Sequence, residues 1–142
     1  IGSGLVGSEM CIRDSNQNWV VFDKDDFPEN NFNSAILSAR QNGFEVAYSN
    51  QAFEFWFLLH FNLYQGALHR SRYEKMLSTL LGFAYTKKSG VSSKMFNALF
   101  LKQEQAINHA KTIMKQFDGN NPAQQESSTT VYRLVEELNN FL

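Results

Sequence analysis

The stretch WVVFDKDD, residues 19–26, decides the fold. Its four apolar residues favour β-structure and run without interruption up to Asp23, which is typical of a strand buried on both faces of a parallel sheet. We therefore predict a central strand over residues 19–22, with acidic side chains directly after it.

A helix and a second strand are predicted downstream. After Pro28, apolar residues recur at helical spacing, namely Phe32, Ala35, Ile36 and Ala39. Gly43 lies where a C-terminal cap is expected, and residues 44–48 are short, β-prone and bounded. Strand, helix and strand in this order form a βαβ unit, so the predicted fold class is α/β with a Rossmann-like parallel sheet.

The rest of the chain is predicted to be mainly helical. Residues 51–62 form a helix with almost no polar face, which indicates burial nearly all round. The other predicted elements are an amphipathic helix over 70–81 that stops near Gly82, a loop over 83–91, a helical region over 92–117 broken near Lys102, and a last helix over 128–141. Phe96 belongs to the apolar period of the helical region over 92–117, and Leu138 is expected on the buried face of the last helix.

Composition limits the class of protein. With 142 residues and 43% apolar content, the chain is long enough for one domain with a hydrophobic core. Its longest apolar stretch, residues 53–61, is far shorter than the roughly 18 residues of a membrane span, and a single cysteine, Cys11, cannot form a disulfide within the chain. We expect a cytoplasmic protein without membrane contact.

Charge is distributed unevenly along the chain. Residues 1–61 carry 3 Lys/Arg against 8 Asp/Glu, residues 62–115 carry 9 against 2, and residues 116–142 carry 1 against 4. An acidic cluster followed by a basic middle suits a protein that handles phosphates. Ordinary solvated helix faces are the alternative, and composition does not decide between the two.

The first fifteen residues, IGSGLVGSEMCIRDS, have neither a helical nor an alternating apolar period. They also lack the basic start and apolar middle of a secretory signal. The stretch looks like translated adaptor sequence, so no folded element is predicted within it. We expect a non-native leader over residues 1–15 and a single domain over residues 16–142 that lacks its first strand.

Asp23 and Asp25 are the predicted metal ligands. They lie two residues apart, so an extended chain would aim both carboxylates the same way. They follow a strand of the predicted parallel sheet, and ligands bind outside the carboxyl ends of such strands. Oxygen ligands of this kind suit Mg²⁺, with Asp26 as an outer helper. The alternative, acidic residues that cap a turn, stays open.

Two ionisable residues, Glu54 and His60, lie in the otherwise apolar helix, where such groups are rarely buried without a partner. Glu54 should approach the strand ends because helical side chains lean toward the N-terminus, so we predict a ligand or general base there. The alternative, a Glu that caps neighbouring backbone or pairs with an Arg, stays open. His60 is either a second catalytic residue or a hydrogen-bonded core histidine. Lys87 and Lys88 are predicted phosphate contacts; further candidates are Lys94, Arg70 and Arg72.

These motifs together resemble the RloB family. The resemblance is carried by WVVFDKDDF at 19–27, SNQAFEFWFLLHF at 49–61, AINHAK at 106–111, NP at 121–122 and SSTTVYRLVEEL at 127–138. That family is similar to Toprim domains, in which a Glu after the first strand and an Asp-x-Asp after a later strand bind Mg²⁺ for reactions at nucleic-acid phosphodiesters. Its members are associated with restriction-modification loci and abortive phage infection, often beside an ATPase.

The resemblance implies a partial Toprim-like sheet with a helical C-terminal half. It assigns the Asp-x-Asp to Asp23 and Asp25, and the second motif to Ser49, Asn50, Glu54, Trp56 and His60. The first-strand Glu has no counterpart here, so the chain as given is expected to be inactive or weakly active.

Three hypotheses follow from the sequence. The leading one is a Mg²⁺-dependent nuclease of a phage-defence or restriction-modification-associated system, acting on DNA or RNA. The second is a non-catalytic module that binds a companion ATPase through its aromatic-rich helices. Thirteen Phe is a large number for a small domain, so some of them are expected at an interface. The third, phosphoryl transfer onto Asp23, fits the remaining motifs less well.

Overall fold

Three strands form one sheet in the order β1-β2-β3: β1 (Glu9–Arg13), β2 (Asn18–Asp23) and β3 (Glu45–Ser49). β2 pairs antiparallel with β1 and parallel with β3. This computed structural model describes residues 9–13, 18–87, 92–117 and 121–141. The predicted central strand is confirmed, because β2 has a neighbour on each side.

Strand β1 lies within the leader, where the sequence predicted no folded element, and that prediction is wrong for Glu9–Arg13. In the register with β2, Met10 pairs with Val21 and Ile12 pairs with Trp19. Strand pairing uses backbone groups that every residue carries, so it needs no apolar period in the added strand. The non-native origin of residues 1–15 and the missing first strand stay predictions.

The predicted βαβ unit is confirmed. Helix α1 (Glu29–Gln41) connects β2 to β3, and the four residues at helical spacing are its buried ones. Gly43, two residues after the helix, has a φ of 87°, a left-handed conformation that glycine adopts without strain. The helix packs on one sheet face, where Val20 and Phe22 alternate with residues of the other face.

The second face of the sheet, with Trp19, Val21 and Ala47, packs against the helical half of the chain. That half consists of α2 (Glu54–Leu58), α3 (Tyr73–Leu81), α4 (Ser92–Leu99), α5 (Gln103–Met114) and α6 (Val131–Asn139), with 3₁₀ turns at Arg70–Arg72, Phe100–Lys102 and Pro122–Gln124. The mixed α/β class, the helical C-terminal half and the break near Lys102 are thereby confirmed. None of the helices in the described ranges is long and apolar enough to cross a membrane.

The apolar helix predicted over residues 51–62 is much shorter in the structure, since α2 covers only Glu54–Leu58. The ring Nδ1 of His60 donates to the carbonyl of Trp56 at 2.9 Å, the carbonyl that an α-helical N–H of His60 would use. The backbone N–H of His60 bonds instead to the carbonyl of Phe57, three residues back. The chain therefore tightens into turns after Leu58.

The segment before α6 covers the free edge of β3. The backbone N–H of Thr130 donates to the carbonyl of Tyr48 at 2.7 Å, and Thr129 forms an antiparallel bridge with Ser49. These contacts hold residues 128–130 beside β3 and outside the helix, so α6 begins at Val131 rather than at the predicted residue 128. Leu138, predicted to be buried, is 39% exposed.

Candidate functional site

Acidic side chains gather where β2 ends beside β3. Asp23 is the last residue of β2, and the chain then turns instead of extending. The backbone N–H of Asp25 donates to the carbonyl of Gln51 at 2.8 Å, and its φ is 46°. Aspartate tolerates this left-handed conformation better than most residues do. The chain thus does not continue extended past Asp23, which was the condition for both carboxylates to point the same way.

Asp23 holds a proton unusually well. Burial raises the pKa of its carboxyl from 3.8 to about 7, and the negative charges of Asp25 and Glu54 add to this. The backbone N–H of Phe53, which donates to the carboxylate, and the charge of Lys87 act in the opposite direction. A desolvated carboxyl among other carboxylates favours a bound cation, whether a proton or a metal ion.

Arg70 pairs with both acids of the turn that follows Asp23. Its Nε lies 3.8 Å from Oδ1 of Asp25, and its Nη2 donates to Oδ2 of Asp26 at 2.5 Å. Burial raises the pKa of Asp25, and Arg70 partly offsets that rise. Asp26 is exposed, and its hydrogen bond to Arg70 lowers its pKa. The turn therefore carries two acids that share one guanidinium.

Glu54, the first residue of α2, lies within electrostatic range of Asp23 and Asp25 and is only 7% exposed. The hydroxyl of Tyr85 donates to its Oε2 at 2.8 Å, and Nζ of Lys87 lies 3.8 Å from its Oε1. Burial and the neighbouring carboxylate raise the pKa of Tyr85, so its hydroxyl keeps the proton that it donates. Glu54 is thus a buried carboxylate held by one donor and one cation.

His60 lies in a different environment. It is 4% exposed, its Nδ1 donates to the carbonyl of Trp56, and its ring meets the ring of Trp56 edge-on at 5.0 Å. Burial lowers the pKa of His60, which keeps the ring neutral. It lines a cavity formed mainly by residues 95–103 and the 85–87 loop. Its predicted catalytic role stays a prediction.

The predicted phosphate contacts separate into two groups. Lys87 and Arg70 lie at the acidic cluster. Lys88 lies outside the described residues. Arg72 instead lines a groove on α3 with Lys75 and Met76, and Nζ of Lys94 lies 5.7 Å from the ring centre of Phe83.

Three polar residues have roles that sequence reasoning did not assign. Tyr85, which holds Glu54, lies in a segment predicted only as a loop, and nothing in its spacing points to the carboxylate. The hydroxyl of Ser49 shares a hydrogen bond of 2.8 Å with that of Thr129. The amide of Asn50 donates to the carbonyls of Pro122 and Ala123. Ser49 and Asn50 therefore tie the end of β3 to the segment before α6.

The carboxylates of the cluster fit Mg²⁺ only in an open site, where water and substrate complete the coordination. Among the described residues, no group of three or more His, Cys, Asp or Glu side chains is arranged to hold a metal ion. Mg²⁺, however, commonly binds through one or two carboxylates and completes its shell with water and substrate phosphate. Asp23 and Asp25, two carboxylates in mutual electrostatic range, fit that kind of open site. They do not fit a site in which protein side chains supply every ligand.

Comparison with known families gives one match. The model of the family described as RloB-like protein matches residues 9–138, which is nearly the whole chain. Neither the curated proteins nor the solved structures give a match. The family match begins at Glu9, the first residue of β1.

Proposed function

Because the chain belongs to the RloB-like protein family, we propose that it is a Mg²⁺-dependent nuclease of a phage-defence or restriction-modification-associated system. The observation that carries the proposal is the grouping of Asp23, Asp25 and Glu54 at the carboxyl end of β2, with burial and mutual charge raising the pKa of Asp23 to about 7. Perturbed acids that meet at the ends of parallel strands are typical of functional sites. The absence of a disulfide-forming cysteine pair agrees with a cytoplasmic setting.

Each residue of the cluster has a role in this proposal. Asp23 and Asp25 would hold the metal ion. Bound there, Mg²⁺ would supply Lewis-acid activation of water and stabilise charge on a scissile phosphate. Glu54, held by the hydroxyl of Tyr85, would accept a proton from the attacking water. Lys87 and Arg70 offer positive charge to the phosphate oxygens.

Cleavage assays test the proposal. The protein should be produced from its native gene, because the non-native origin of residues 1–15 is itself a prediction. We expect Mg²⁺-dependent cleavage of DNA or RNA that falls at least about 100-fold in Asp23→Asn and Asp25→Asn. The matched control is Glu29→Gln, an exposed acid at the start of α1. Cleavage that both Asn variants retain would remove the pair from the mechanism.

A second candidate function is a non-catalytic module that binds a companion ATPase. The observation in its favour is exposed apolar surface on α4 and the 3₁₀ turn after it, where Phe96, Phe100 and Leu101 are 64%, 61% and 88% exposed. Contiguous exposed apolar groups often mark an interface. Co-purification of the ATPase encoded beside the gene, lost in Leu101→Asp, together with no hydrolysis of any nucleic acid, would favour this function over the nuclease.

A further inference from the structure

A cavity of about 350 Å³ lies next to the acidic cluster. It shares two residues with that cluster, Tyr85 and Lys87, both of which contact Glu54. The remaining lining residues are Phe57, His60, Thr86, Met95, Phe96, Leu99, Phe100 and Gln103. A ligand in the cavity therefore lies beside the carboxylates rather than on a separate surface.

Two phenylalanines at the edge of the cavity are open to solvent. Phe96 is 64% and Phe100 is 61% exposed, and their ring centres lie 5.4 Å apart with the planes tilted by 34°. Met95 and Leu99, on the same helix, are buried. An exposed aromatic pair is costly in water, and its flat faces are what an unpaired nucleobase stacks on.

The charges around the cavity suit a phosphate-linked ligand. Among the described residues that line it, none is acidic, and the side chain of Lys87 at its rim is 67% exposed. The lining residues beyond Phe57 and His60 all belong to the segment 62–115, which carries 9 Lys/Arg against 2 Asp/Glu. An apolar slot with a cationic rim is the combination found where single strands bind, because the rim follows the backbone while aromatic rings hold the bases.

His60 adds a polar contact inside this apolar slot. Its Nδ1 carries the proton donated to the carbonyl of Trp56. A neutral ring with its proton on Nδ1 keeps a lone pair on Nε2, so this lining residue offers an acceptor as well as a flat ring.

We propose that this cavity binds an unpaired base of a single-stranded nucleic acid, which stacks on Phe96 and Phe100 while Lys87 contacts the adjoining phosphate. The inference rests on the proposed nuclease function and names its substrate class, single strands rather than duplex. It also gives Lys87 a reason to lie between the cavity and Glu54, since that is where the sugar-phosphate backbone of a bound base would run.

Binding measured without catalysis tests this. Fluorescein-labelled oligo(dA) and oligo(A) are titrated with the full chain in EDTA and followed by anisotropy, beside a duplex of the same length. We expect the single strands to bind more tightly than the duplex, and Phe96→Ala and Phe100→Ala to weaken single-strand binding roughly 5- to 100-fold. The matched control is Leu101→Ala, an apolar residue 88% exposed on the adjacent turn and outside the cavity lining.

Several outcomes would overturn the inference: no oligonucleotide binding, equal affinity for the duplex, or unchanged affinity in both Phe variants. Sedimentation of the same samples tests whether a second copy of the chain occupies the cavity instead. A wild-type dimer that Phe96→Ala converts to a monomer would show this. The EDTA assay is independent of cleavage. Phe-dependent binding without Mg²⁺-dependent cleavage refutes the nuclease alone, whereas cleavage with Phe-independent binding refutes the stacking cavity alone.

Discussion

The Asp23→Asn variant should be more stable than the wild type at alkaline pH, and this advantage should disappear in acid. The folded protein holds the Asp23 proton with a pKa of about 7, whereas the value without burial is 3.8. Between these two values the folded state keeps a proton that the unfolded chain has lost. The stabilisation from protonated Asp23 is therefore fully present below about pH 4 and is lost as the pH rises through 7.

The size of the effect follows from the two pKa values. One pKa unit corresponds to about 1.4 kcal/mol, and the window from about pH 5 to about pH 8 includes most of the titration of folded Asp23. We expect the unfolding free energy of the wild type, relative to Asp23→Asn, to fall by on the order of 2 kcal/mol across this window. Asparagine is isosteric, stays neutral and can still accept the hydrogen bond from Phe53.

Urea unfolding in EDTA, followed by the fluorescence of buried Trp19 and Trp56, measures this difference. Comparison with the variant is needed because burial lowers the pKa of His60, which changes stability with the opposite sign as the pH falls. Asp26→Asn is the control, since its pKa is lowered and nothing on that side chain titrates in the window. A stability difference between wild type and Asp23→Asn that does not change with pH would refute the reasoning.

Two further predictions concern the same cluster. If Asp23 holds Mg²⁺ as proposed, the ion competes there with the proton. Adding Mg²⁺ should then raise the thermal midpoint of the wild type more at about pH 8 than at about pH 5, and should not raise that of Asp23→Asn; an equal rise in both proteins would place the ion elsewhere. Tyr85→Phe removes the hydroxyl that donates to the buried carboxylate of Glu54, so it should lower the free energy of unfolding in urea by about 1.5–3 kcal/mol. The control is Tyr64→Phe, which removes a hydroxyl that accepts an exposed hydrogen bond and should lower that free energy by under about 0.5 kcal/mol.

The βαβ unit was predictable because its information is local. A strand buried on both faces must be apolar throughout, and β2 is apolar from Trp19 to Phe22. Helix α1 shows a clear period because one side packs on the sheet and the other meets water. Gly43 marks its end because the chain needs a left-handed residue there. None of these inferences depends on a partner far along the sequence.

The site was predictable only in part, since its geometry depends on distant contacts. The direction of Asp25 is set by the carbonyl of Gln51, and Glu54 is held by Tyr85, thirty-one residues away. Helical spacing identified the apolar face of α4 but did not reveal that Phe96 would stay exposed while Met95 is buried. The helical spacing of apolar residues shows which side of a helix is apolar. It does not show which other element covers that side.

The ion pairs of the cluster bear directly on whether it can hold a metal. Three carboxylates, Asp23, Asp25 and Glu54, lie within electrostatic range of one another and are partly desolvated, an arrangement that is unfavourable unless positive charge compensates it. In the described residues that charge comes from Arg70, from Lys87 and, near neutral pH, from the proton on Asp23. A divalent ion between Asp23 and Asp25 would provide the same compensation. It would displace the proton and release the two cationic side chains for a phosphate. Because the side chain of Lys87 is 67% exposed, its pairing with Glu54 is weak enough to exchange in this way.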